Sequence, residues 1–387
     1  LFRSLSRSTV TLITKRLVRQ ELLHEVGKGN STDRGGRRQV LLALNPRMGF
    51  VLAGEIELTY SRVALFDINA NVIATRTLKY SKTIKAEPLI SMLIGTFREL
   101  ISEQAIRSDQ LIGIGLGVPG MIDYTNGTVR DGHNTKRWDG YPLCRILSDE
   151  FQVPAFLENN VKSVTLGEYH FGGGRNSESL VCFWFGDGIG IGIMNQGQLI
   201  KGSTHSAGEI GFTELLPGIQ SNWSLLGDDN NHIWGDVLSW ANIQAAVQKG
   251  IESGWKTRLD PDCDVTFFLQ AAEKMDPLAV HLVKLLGKLI AHIVSQAIYF
   301  YNPSVFVLSG PLFGKSHLLY QEISTNIQQN ILLEPIRRTD FRISNLNENG
   351  VLIGAASLVI NDLFRMPDAK NPNLTRSALM AGIQSDK

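Results

Sequence analysis

Cysteine is scarce in this chain: 387 residues hold three, Cys144, Cys182 and Cys263, far apart in sequence. That scarcity argues against a disulfide framework, fits a reducing cytoplasm, and leaves no closely spaced cysteine zinc motif. Uninterrupted apolar runs are missing too, since none approaches the ~18 residues that mark a membrane span. Net charge is nearly absent, with 38 Lys and Arg against 37 Asp and Glu. What remains is a globular composition, 43% hydrophobic and 19% charged, long enough for two or three domains with separate cores.

The charge balance is not uniform. Residues 1–47 carry ten Lys or Arg and three Asp or Glu, a net +7, whereas the remaining 340 residues carry 28 and 34, a net −6. A basic head on an acidic body predicts that the head meets a polyanion. An acid-poor start rich in Arg and Ser also describes an organelle transit peptide. Against that, the basic character continues through Gly35-Gly36-Arg37-Arg38 and runs into strand-like sequence with no cleavage-type break. The first residue is Leu, so further residues are expected ahead of it.

Within the head, Ser8 reads as the N-cap of a helix running to about Gln20. Helical spacing puts Val10, Ile13 and Leu17 on one face and Ser8, Thr11, Lys15 and Arg19 on the other. A buried stripe behind small hydroxyls and spaced cations suits a helix lying in the major groove of DNA. Leu22 to Leu44 then reads as two short strands around a glycine-containing loop bearing Arg34, Arg37 and Arg38. Such a loop resembles the wing of a winged helix-turn-helix, where arginines reach phosphates or the minor groove.

From Gly49 onward the pattern becomes that of an α/β body. Phe50–Glu57, Tyr60–Asp67 and Asn71–Leu78 read as antiparallel strands, with a tight turn at Asn69-Ala70-Asn71. Further strands are expected at Leu111–Val118, Ala155–Glu158, within Leu180–Asn195 and at Val305–Leu308. Helices are expected near Pro88–Gln104, Leu143–Phe151, from Asn159-Asn160, and at Val237–Gly250, Val265–Lys274, Leu278–Tyr301 and Leu352–Leu363. Alternation of this kind, with glycines at strand ends, predicts a central ligand cleft.

Four segments in this order carry a resemblance: Leu116-Gly117-Val118-Pro119-Gly120, Glu158-Asn159-Asn160, Gly186-Asp187-Gly188-Ile189-Gly190-Ile191-Gly192 and Ala207-Gly208-Glu209-Ile210-Gly211. Together they resemble the ROK family of sugar kinases and repressors, and the basic head resembles its repressor branch, which includes the xylose and N-acetylglucosamine repressors. The resemblance implies an actin/hexokinase-like, ribonuclease H-like body of two lobes closing on a sugar, as a homodimer or tetramer. On that basis residues 1–47 form the DNA-binding domain. Residues 48–158, completed by a C-terminal helix in 350–387, form the first lobe, and 159–349 the second. By the same resemblance Asn134, Asn159, Asn160 and Glu209 match sugar-binding positions, Asp236 matches an acid of the sugar site, and Trp138 helps shape the pocket.

The chain departs from the kinase pattern in three places. Family kinases carry an Asp-Ile-Gly-Gly-Thr type turn after the first strand; here Glu55-Ile56-Glu57-Leu58-Thr59 lacks both glycines and adds a carboxylate. The family's catalytic aspartate is replaced by Asn160, which hydrogen-bonds a hydroxyl but cannot act as its base. Asp187 brings a further negative charge into the second phosphate loop. The family's zinc motif is missing as well: Phe212 replaces its histidine, Thr213–Trp234 contain no cysteine, and His205 and His232 are the nearest imidazoles.

The expectation is therefore a cytoplasmic, DNA-binding regulator of carbohydrate genes, with operator DNA and a sugar or sugar phosphate inducer as partners. It has no catalytic residues, metal or cofactor. The alternatives are a ROK sugar kinase with a DNA-binding appendage, and a repressor controlled by a protein partner. The polar, Pro-containing segment Met366 to Lys387 reads as a flexible tail.

Overall fold

The computed structural model describes residues 6–29, 38–130, 138–186, 188–214, 225–226 and 233–364. The head contains helix α1 (Arg7–Arg19) and an antiparallel ribbon of β1 (Leu23–Lys28) and β2 (Val40–Leu44). The α1 N-cap is Ser6, two residues ahead of the expected Ser8, because the Ser6 hydroxyl accepts the Thr9 amide at 3.1 Å. Ser8 lies inside the first turn with its hydroxyl 2.7 Å from that of Ser6. The expected buried stripe is also corrected: Val10 and Ile13 are exposed, and the partly covered positions are Thr14, Leu17 and Val18. A two-stranded ribbon is too small to cover a helix face.

The first lobe begins with β3 (Phe50–Ile56), β4 (Tyr60–Asp67) and β5 (Val72–Lys79), followed by α2 (Ala86–Glu103) and β6 (Leu111–Val118). A small hairpin, β7 (Met121–Asp123) and β8 (Thr128–Arg130), precedes α3 (Leu143–Phe151), β9 (Ala155–Asn159) and α4 (Asn160–Phe171). The second lobe opens with β10 (Ser179–Phe185), β11 (Ile189–Asn195) and β12 (Gln198–Leu199). Helices α5 (Trp234–Val237), α6 (Trp240–Glu252), α7 (Val265–Glu273) and α8 (Pro277–Tyr301) come next. The order closes with β13 (Val305–Ser309), α9 (His317–Asn330), β14 (Asp340–Ile343) and α10 (Gly350–Phe364).

The two large sheets repeat one plan. In β5-β4-β3-β6-β9 the first three strands are antiparallel and β3, β6 and β9 run parallel. In β12-β11-β10-β13-β14 the same antiparallel trio leads into the same parallel trio. The turn expected at Asn69-Ala70-Asn71 is present: Ala70 takes φ +58° while Asp67 accepts the Asn69 and Asn71 amides, each at 2.9 Å.

The alternating sequence Leu111–Val118 explains how the lobes are joined. Ile114, Leu116 and Val118 enter one core with α2 and α3 residues, while Gly113, Gly115 and Gly117 face α10. A Cβ on Gly115 would stand 1.9 Å from the Ala355 carbonyl oxygen, so only glycine lets α10 lie this close to β6. Gly354 does the same between the helices, since its Cβ would meet the Ser163 carbonyl at 1.7 Å. Helices α4 and α10 thus form a tight pair, α10 against the first sheet and α4 against β10 and β11 of the second. Helix α8 is long and apolar enough to cross a membrane by composition, but 67% of its apolar window is buried in the second lobe's core. Such burial is what a core helix shows.

Candidate functional site

The carboxyl ends of β3, β6 and β9 converge, which is where ligands bind in open parallel sheets. Asn159, the last residue of β9, caps α4: its Oδ1 accepts the Val161 amide at 2.9 Å and the Lys162 amide at 3.3 Å. Its Nδ2 donates to the Gly120 carbonyl at 3.0 Å, tying α4 to the end of β6. Both ends of this expected sugar-binding amide are engaged by the fold, which makes Asn159 a positioning group.

Asn160 opens α4 where family kinases resembling this chain carry their catalytic aspartate, and that end of the cleft is called here the phosphate end. Its Nδ2 donates to Glu57 Oε1 at 2.7 Å and to the Ile56 carbonyl at 3.2 Å, so the amide is tied to the turn after β3. Its Oδ1 is buried without a hydrogen-bond partner. Glu55, one turn of strand earlier, is fully buried and pairs with Arg62, whose guanidinium also reaches the backbone and carboxylate of Glu348 ahead of α10. Burial pushes the Glu55 carboxyl above its usual range, and the Arg62 charge opposes that rise. The Glu57 and Glu55 carboxylates of this end are thus engaged by the Asn160 amide nitrogen and by Arg62, while the Asn160 amide oxygen is left unmatched.

The sugar end has a different construction. Glu158, fully buried, accepts the Tyr124 hydroxyl and the Asn159 amide on Oε1, while Lys201 Nζ stands 3.1 Å from Oε2. The Lys201 ammonium also lies over the Tyr124 ring, 3.4 Å from its centroid, and Tyr124 meets the His205 ring edge-on at 4.6 Å. From α4, the buried Lys162 donates to the His205 carbonyl at 3.0 Å and approaches Glu209 Oε1 to 3.9 Å. Glu209 is placed by Gly208, whose φ of +91° and close approach to the Ile191 carbonyl leave no room for a side chain. Burial holds the Lys162 ammonium below its ordinary pKa and the Glu209 carboxyl above its own; their mutual attraction opposes both shifts.

Of the expected sugar-site residues, the structure thus gathers Asn159, Asn160 and Glu209. Trp138 is buried in the first lobe's core, and Asp236 is exposed on α5. Asn134, Asp187 and His232 lie outside the described residues, as do Arg34, Arg37 and 366–387. Tyr124, Lys162 and Lys201 were not singled out from sequence. Lys162 gave one signal, a cation flanked by the small and apolar residues of a buried helix. In the head, Ser8, Thr11, Lys15, Arg19 and Arg38 are all exposed.

A repeated sheet plan with a polar cleft at the strand ends defines a two-lobed protein of sugar-kinase architecture. Residues 52–362 match the ROK family, and the chain belongs to it. It is 24% identical over 368 residues to the xylose repressor of Caldicellulosiruptor bescii, covering 94% of this chain and 91% of that one. It is 24% identical over 333 residues to the DNA-binding transcriptional dual regulator NagC of Escherichia coli strain K12, covering 85% and 79%. The crystal structure of a ROK family transcriptional regulator, a homologue of the Escherichia coli MLC protein, superposes with a TM-score of 0.76 at 21% identity, over 92% and 89% of the chains. A ROK family glucokinase from Streptomyces griseus, solved with glucose and AMPPNP, superposes at 0.66 and 21% identity. That glucokinase is matched over 99% of its length yet covers 80% of this chain, and the family match begins at residue 52, after the basic head.

Proposed function

We propose that this chain is a ROK-type transcriptional repressor of carbohydrate genes. In the cytoplasm, as a homodimer or tetramer, it binds operator DNA through residues 1–47 and senses a small sugar in the cleft. The observation that carries the reading is the bond between Asn160 and Glu57, with Glu55 clasped by Arg62 beside it. Phosphoryl transfer needs a base on the sugar hydroxyl and an electropositive cradle for the phosphates. An amide bonded to a carboxylate supplies neither. The head supports the DNA half: Ser8, Thr11, Lys15 and Arg19 present short hydroxyls and cations to solvent along α1, with Arg38 exposed just ahead of β2. Ligand in the cleft would bear on groups from both lobes, so binding can shift their relative populations and lower DNA affinity.

The test is binding of the full chain to its own upstream DNA, titrated with salt by fluorescence anisotropy. Affinity should fall linearly on a double-logarithmic plot. Lys15→Ala with Arg19→Ala should weaken binding and flatten the slope by about 1.8 if both cations contact phosphate, on the order of 0.9 per contact. Absence of salt-sensitive binding would sink the reading.

A further inference from the structure

We propose that the cleft is built for a sugar carrying a negative charge, held between Lys162 and Lys201. The proposal rests on the sugar-sensing half of the function above and names the class of ligand. An ammonium has three donors. Lys162, with 3% of its side chain exposed, places one of them on the His205 carbonyl, and Glu209 at 3.9 Å is beyond hydrogen-bond reach. Burying a cation with so little compensation is costly, and structures that keep such a group give it a partner. Lys201 reaches the same place from the loop after β12, anchored on Glu158 and Tyr124, and keeps 35% of its side chain exposed.

The acids nearby do not fill the role. Glu158 is enclosed, with one oxygen bonded to Tyr124 and the Asn159 amide and the other beside Lys201. Glu209 is a third exposed and stands off from Lys162. The two ammoniums also repel: Lys201 adds to the burial effect that depresses Lys162. An anion between them would take up the donors that Lys162 leaves open and offset that repulsion, through charge-assisted bonds stronger than those a hydroxyl makes. One further polar atom, His205 Nδ1, is buried beside Lys162's carbonyl partner without a hydrogen-bond partner of its own and suits a ligand's hydroxyl.

A sugar carboxylate and a sugar phosphate share this chemistry, and calorimetry on the full chain separates them. The probes are glucose, glucuronate and glucose 6-phosphate. At least one of the two anions should bind about tenfold or more tightly than glucose, and the tighter one identifies the charged group. Lys201→Met and Lys162→Met should each remove most of that preference. Lys201→Gln, at a half-exposed position, repeats the test should Lys162→Met fail to fold. Glucose binding as tightly as both anions, an anion preference that survives both methionine variants, or no binding by any probe would overturn the proposal. DNA binding measured on the same preparations keeps the outcomes apart. If it persists, only the ligand class has failed; if it is missing from the parent chain, the repressor reading has failed.

Discussion

At the phosphate end of the cleft the chain's own groups close on one another, Asn160 on Glu57 and Arg62 on Glu55 and Glu348. Two residues further along the same helix, at the sugar end, Lys162 keeps donors that no described carboxylate takes up, and Lys201 faces solvent with part of its side chain. Both ends are polar and both are held by α4. They differ in what the protein leaves unmatched: a single amide oxygen, Asn160 Oδ1, at the first, and ammonium donors of Lys162 at the second. A buried network whose members satisfy one another is a structural element, whereas one with unmatched members is open to a ligand.

The sharpest way to break the contrast is Arg62→Met. It strips the partner from a buried carboxylate and should cost about 3–5 kcal/mol at neutral pH, read by urea denaturation. The effect has a pH signature. Glu55 titrates above 4.5 in the fold, so the penalty of its charge is absent below that value and grows as pH rises through the raised folded pKa. The variant should therefore be most damaged near pH 8 and least near pH 5. An equal loss at both would mean that the buried charge is not the cause.

A smaller effect is expected from Asn160→Asp, which restores the family's carboxylate but sets it 2.7 Å from Glu57. Repulsion should lower stability by about 1–3 kcal/mol at neutral pH, with partial recovery in acid, on thermal melts. Phosphotransfer should not return, because Glu57 and Leu58 still occupy the glycine positions. The smallest effect belongs to the sugar end. Lys162→Met in the unliganded chain should stay within about 1 kcal/mol of the parent, since Glu209 keeps part of its side chain in solvent and a desolvated ammonium is removed. A loss comparable to that of Arg62→Met would show that the two ends are alike.

Much of the frame was legible because it is local. Leu111–Val118 and Leu143–Phe151 were read as a strand and a helix with the limits they have in the structure. Helix α9 was not anticipated, being largely polar with few buried positions, and neither was β14, a four-residue strand Asp-Phe-Arg-Ile whose alternation is too short to stand out. The three-residue strands β7 and β8 are too short to carry a period, yet β7 leads directly into Tyr124. No role was assigned from sequence to Gly113 and Gly115 of β6; with Gly117 they admit α10.

The site divides along the same line. Asn159, Asn160 and Glu209 were found because their motifs are contiguous in sequence. The Asn160–Glu57 bond spans 103 residues and Lys162–His205 spans 43, and no spacing rule connects such positions before the lobes are folded together. For the head, the helix was anticipated but its cap was placed two residues late, since Ser6 and Ser8 are both good caps.

The contrast between the two ends is tested most directly by offering the intact chain both substrates of a sugar kinase. ATP consumption would be followed in a coupled assay across hexoses, amino sugars and sugar acids. The account predicts no sugar-dependent turnover, even where a sugar of the same panel raises the melting temperature. Turnover that Asn160→Ala abolishes would contradict it.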